Sequence, residues 1–189
     1  MSSQPSTPAP TKEEAAFYER RWLALVLLAS SLALIVIDST IVNIAFPTIR
    51  STFGASFADA EWVNSIYSLV FGSALITFGK LGDMYGRRNI FIAGAIVFLV
   101  GSAGSGLANS IQTMIFFRGV QGLGGAMLSP STLSIISSTF KGRERGIAFG
   151  VWGATAGVAG VLGPLLGGWL IEYGTTAFGE PWRLAFLIN

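Results

Sequence analysis

Two charged residues stand where charge is expensive. Asp38 lies inside an apolar run from Trp22 to Pro47, and Arg118 lies inside another from Ile111 to Phe140. A charge at the middle of a bilayer costs about 2.5–3.5 kcal/mol on insertion scales, so such residues face a cavity or a partner. A carboxyl can take up and release a proton, and a nearby guanidinium favours its ionised form. The two residues are therefore a candidate proton-coupling site. The other reading is a structural ion pair that only fixes helix packing. Gln121, Gly122 and Gly125 follow Arg118 at i+3, i+4 and i+7 and share its helix face. A stripe of polar groups and glycine suits either the wall of a cavity or a packing face.

Other chemistry is closed to this chain. It has no Cys and no His, so it has no disulfide, no Cys/His zinc site and no Ser-His-Asp or Cys-His triad. An intramembrane enzyme would need a catalytic pair such as two carboxylates on facing spans, and only Asp38 lies within one. The net charge is +2, but the basic residues fall at the ends of apolar blocks, where membrane topology needs them. No nucleic-acid partner, metal or cofactor is expected.

The elements that must position these residues are transmembrane helices. Of 189 residues, 51% are apolar and 12% charged, whereas a soluble domain carries about 25% charged residues. The apolar residues form blocks at 22–47, 62–79, 89–107, 111–140 and 146–171, and a span needs about 20 such residues. An all-α membrane protein is expected, with five full transmembrane helices and the start of a sixth at 182. Residues 1–21 read as a Ser/Pro/Thr-rich disordered tail and a juxtamembrane segment. At about 1.5 Å per residue, Asp38 lies roughly 14 Å, and Arg118 roughly 10 Å, from the outer ends of their spans. That similar depth suits a direct pair or a shared aqueous cavity.

Orientation follows from the basic residues. With the N-terminus inside, the inner side holds Lys12, Arg20, Arg21, Lys80, Arg87, Arg88, Lys141, Arg143 and Arg145, and the outer side holds Arg50 and Arg183. The positive-inside bias places the N-terminus in the cytoplasm. In the fifth span Gly150, Gly153, Gly157, Gly160, Gly163 and Gly167 recur at steps of three or four, a ridge for close helix approach. Pro164 removes a backbone hydrogen bond there and should bend the helix. Between spans two and three, Gly86 allows a tight turn, and Asp83 and Arg87 are spaced to pair across it.

This loop resembles the signature of the major facilitator superfamily: Gly79, Leu81, Asp83, Gly86, Arg87 and Arg88 match it, with Gly82 where Ala is usual. Arg118, Gln121, Gly122, Gly124, Gly125 and Ala126 resemble the family's fourth-span motif. Gly163, Pro164, Gly167 and Gly168, preceded by Gly157 and Gly160, are similar to its antiporter motif. Ile37, Asp38, Thr40, Asn43, Ala45 and Pro47 resemble the first-span motif of the fourteen-spanner drug:proton antiporters, and Trp182, Arg183, Phe186 and Asn189 the start of the sixth span.

The resemblance implies the N-terminal bundle of a major facilitator fold, built of inverted three-helix repeats. It implies that Arg118 and Asp38 act in proton coupling, and that Gln121, Thr40 and Asn43 line the proton or substrate site. Asp83 would brace an inner gate against a helix N-terminus of the C-terminal half. Pro164 and its glycines would bias the protein toward export. The expected activity is proton-driven export of amphiphilic small molecules across the cell (inner) membrane. The partners would be the lipid bilayer, protons, the substrate and the C-terminal half of the same transporter. The alternatives are a carrier of one metabolite, and a truncated membrane fragment that transports nothing alone.

Overall fold

The computed structural model describes residues 12–174 and 179–188. It is all-α: α1 (Lys12–Phe53), α2 (Phe57–Tyr85), α3 (Arg87–Gly106), α4 (Ile111–Thr139), α5 (Gly142–Tyr173) and a short α6 (Arg183–Leu187). The α3, α4 and α6 boundaries fall close to the expected blocks, while α1, α2 and α5 are longer. Pro47 does not end the first helix, which runs through it to Phe53. Of the expected N-terminal tail, residues 1–11 lie outside the described residues, and Lys12–Arg21 forms the start of α1 rather than a separate segment.

The helix ends are specified locally. Ser56 caps α2 by accepting from the Asp59 backbone N–H at 3.1 Å, with the Asp59 carboxylate in the first turn, where the helix dipole favours it. Ser110 caps α4 in the same way through Thr113 N–H at 3.2 Å. Gly86 joins α2 to α3 at φ +94°, a conformation that a residue with a Cβ rarely adopts.

Four helices have the length and apolarity to cross a membrane: α1 from Arg20, α2, α3 and α5. The chain is thus a multi-pass integral membrane protein. The expected count of five full spans is not met on this criterion, because α4 falls outside it. The reason is its position. α4 is buried along most of its length against α2 and α3, so it carries the small and polar residues of an interior rather than the apolar ones that face lipid.

Glycines set the spacing of this core. A Cβ added at Gly94 would lie 2.6 Å from Met127 Cβ, and one at Gly101 would lie 2.6 Å from Gln121 Cα. Gly124 answers from α4, where a Cβ would collide with Phe98. α1 packs chiefly on α5, and α2 on α4. These two pairings exchange when α1 is swapped with α4 and α2 with α5, as the inverted repeat requires.

The glycine stripe of α5 is not one interface. A Cβ at Gly163 would collide with Thr40 Oγ1, and one at Gly167 would lie 2.8 Å from Ile41 Cγ1. Gly150, Gly153, Gly157 and Gly168 have nothing within 4 Å, and Gly160 meets only Val36 Cγ1, at 3.9 Å. At 100° per residue the steps from Gly150 to Gly167 turn the stripe by about 100° around the helix, so only its carboxy-terminal part meets α1.

Two polar clasps hold the ends of α1. Towards its N-terminus Arg21 Nη2 donates to Glu144 Oε1 of α5 at 2.7 Å, beside the rings of Trp22 and Phe140. Near its C-terminus Thr52 Oγ1 accepts from Trp182 Nε1 at 3.2 Å. Arg183 Nη1 donates to the Gly106 and Ala108 carbonyls at 2.9 and 2.8 Å, closing the end of α3.

Gly163→Leu should separate α1 from α5, since overpacking a filled contact costs about 1–3 kcal/mol or more. The check is the yield and melting temperature of the variant in detergent. Wild-type values would mean that α5 does not lie against α1.

Candidate functional site

Asp38 and Arg118 meet directly. Arg118 Nη1 donates to Asp38 Oδ2 at 2.6 Å, and their side chains are 1% and 0% exposed for Arg118 and Asp38 respectively. α1 and α4 run in opposite directions, which is why residues far apart in sequence reach one depth.

The pair belongs to a closed ring of hydrogen bonds. Arg118 Nη1 also donates to Gln121 Oε1 at 2.8 Å, and Gln121 Nε2 donates to Asp38 Oδ1 at 2.8 Å. One amide thus bonds the cation through its oxygen and the anion through its nitrogen. Arg118 Nε donates to the Val63 carbonyl of α2 at 3.1 Å. The Tyr67 ring lies 4.3 Å from the guanidinium carbon, and the Phe186 ring of α6 lies 5.8 Å away. α1, α2, α4 and α6 all contribute to the enclosure of one charge.

The Arg118 face is closely packed against α2. Gly122 admits the Tyr67 backbone, a Cβ there lying 2.7 Å from Tyr67 O, and Gly125 lies against Phe71 and the Tyr67 hydroxyl. A groove of about 390 Å³ runs between the amino-terminal halves of α1 and α5, past Val26, Ser30, Val151 and Thr155, and its lining does not include the ion pair.

The other expected site residues lie elsewhere. Thr40 turns to α5, its hydroxyl bonded to the Val36 and Ile37 carbonyls of its own helix and seated over Gly163. Asn43 is exposed and accepts from Asn64 Nδ2 of α2 at 2.8 Å, apart from the ion pair. At the α2–α3 junction Arg87 Nη2 donates to Asp83 Oδ1, forming the expected pair, while Arg88 is exposed. Gly79 lies 3.8 Å, measured from a built Cβ, from Pro130 of α4. At Gly82 such a Cβ would stand 2.9 Å from Arg87 Cδ, so the missing methyl group leaves room for Arg87 to reach Asp83. Pro164 sits within α5, which continues past it, with its ring exposed. Asn189 lies outside the described residues.

The sequence reading missed Tyr67, Val63 and Asn64. The one signal was a phenol and an amide within the apolar second block; nothing in their spacing names the helix they meet.

The profile of the Major Facilitator Superfamily matches residues 28–189. A tetracenomycin C resistance and export protein of Streptomyces glaucescens is 38% identical over 90% of this chain and 30% of its own length. A puromycin resistance protein of Streptomyces alboniger is 37% identical over 100% of this chain and 37% of its length. A riboflavin transporter of Clostridioides difficile (strain 630) is 33% identical over 90% of this chain and 36% of its length. The chain thus spans about a third of the length of these relatives. Among solved structures, a bacterial homologue of the human lysosomal transporter Spinster, inward-facing and occupied, superposes with a TM-score of 0.77 at 25% identity, over 89% of this chain and 41% of that one. The chain belongs to the major facilitator superfamily, whose members carry solutes across membranes rather than catalyse reactions.

Proposed function

We propose that this chain is the N-terminal bundle of a proton-coupled exporter of amphiphilic small molecules. The observation that carries this reading is the Asp38–Arg118 pair, buried among spans and bridged by Gln121. A carboxyl that alternates between the ionised and protonated forms must sit beside a cation that rewards the one and tolerates the other. The resistance and export proteins among the relatives support the direction of transport and the kind of substrate.

In this reading α4 is the fifth full span, of the same length as α2 and shielded from lipid by its neighbours. The N-terminus is cytoplasmic and the inner loops carry the basic residues. Asp38 binds a proton arriving from the outer side, which removes the charge that holds Arg118 and loosens α1 from α4. Deprotonation toward the inside restores the pair. Thr40 serves the α1–α5 contact, while Asn43 and Asn64 offer amides to a substrate on the exposed side of α1 and α2. The C-terminal half supplies the other wall of the cavity and meets Asp83. A second reading, a carrier of one metabolite, is favoured by the riboflavin transporter among the relatives.

In proteoliposomes of the full-length transporter, lipophilic cations should drive a proton flux that Asp38→Asn abolishes while substrate binding persists. Loss of binding and flux together would make the pair structural. Proton flux with riboflavin-like metabolites but with no cation would favour the second reading. For topology, these 189 residues lack Cys, so a single replacement here is unambiguous in a transporter whose remaining cysteines have been replaced. A cysteine at Ala58 should react with an impermeant maleimide from outside intact cells, and one at Lys141 only after lysis; the reverse pattern would invert the orientation.

A further inference from the structure

We infer that Tyr67 holds the Arg118 charge in place while Asp38 is neutral, a positioning role that rests on the proton-coupling reading above. When Asp38 is protonated, the guanidinium loses its only counter-charge among the described salt bridges. A buried charge without compensation costs several kcal/mol. What remains beside it are the Val63 carbonyl, the Gln121 amide oxygen and the face of the Tyr67 ring at 4.3 Å. An aromatic face carries the negative part of the ring quadrupole and attracts a desolvated cation.

The hydroxyl of Tyr67 points to the same role by elimination. It is buried and has no hydrogen-bond partner among the described residues. A buried hydroxyl without a partner is a cost, so this position uses the ring rather than the phenol oxygen. The ring is also fixed. Gly122 receives the Tyr67 backbone, Gly125 lies against its hydroxyl, and Phe71 stacks on it with centroids 6.0 Å apart and planes at 15°. The glycines beside Arg118 on α4 are thus the berth of this ring.

The groups facing Arg118 are Asp38 from α1, Tyr67 from α2 and Phe186 from α6. The charged residue of α6, Arg183, is turned instead to the carbonyls of Gly106 and Ala108. No second cation or anion competes with the ring in the contacts described.

The test replaces Tyr67 in the full-length transporter with Phe and with mono-, di- and trifluorinated Phe, which keep the ring while weakening its negative face step by step. Each is melted in detergent with Asp38 present and with Asp38→Asn, which imitates the neutral carboxyl. Tyr67→Phe should melt no lower than the parent in both backgrounds. In the Asp38→Asn background, fluorination should lower the melting temperature progressively, by roughly 1–2 °C across the series, and by less with Asp38 present. A flat series in the Asp38→Asn background, or equal slopes in both, would overturn the role. If Asp38→Asn is not recovered folded, the series with Asp38 present is melted with Arg118 and with Arg118→Gln. Fluorination should then lower the melting temperature only where Arg118 is present, and equal slopes count against the proposal. Melting does not depend on transport, so a transporter without proton flux would sink the coupling reading and leave this comparison legible.

Discussion

A guanidinium buried among helices has to be answered on every side, and that requirement organises this bundle. Arg118 draws a carboxylate from α1, a backbone carbonyl from α2, an amide from its own helix and aromatic rings from α2 and α6. Removing one partner of such a pair costs about 3–5 kcal/mol in other proteins, which is comparable to a large part of a domain's stability. α1 packs mainly on α5, while α4 packs mainly on α2 and α3. The ion pair therefore joins two packed groups that otherwise meet through apolar side chains rather than through close backbone approach. Its hydrogen bonds fix the depth of one group against the other more sharply than apolar packing would, because they tolerate little displacement.

The composition of α4 follows from the same demand. A helix that must bring a charge to its partners has to come close to them, and close approach needs glycine. Gly122, Gly124 and Gly125 take up that need on α4, with Gly94 and Gly101 opposite on α3. The cost is a helix too polar and too rich in glycine to pass as a span on apolarity alone. Its interior position, not its own hydropathy, is what lets it stand at membrane depth.

Much of this was legible in the residues. Bilayer thickness imposes block length, so the order of the helices could be read, although four rather than five full spans meet the apolarity expected of them, and the fixed rise per residue put Asp38 and Arg118 at similar depth. Thr40 and Asn43 turn to neighbours other than the Asp38 pair, and helical arithmetic explains why. Two residues onward lie about 200° around the helix and five onward about 140°, so neither can share the face of Asp38. Pro47 read as a stop, yet a helix carries proline where the lost hydrogen bond falls near its end and the ring faces outward. Tyr67 was invisible for a different reason: its partner is a charge on another helix, and one-dimensional spacing says nothing about which faces meet.

The amino-terminal stretch of α5 has one more property. At Gly150, Gly153 and Gly157 a methyl group would touch no other helix of the described bundle, although each position lacks one. The packing of these helices on one another therefore does not require glycine there. What a small side chain would change at these positions is the helix propensity of α5 itself and the fit of whatever lies over that surface.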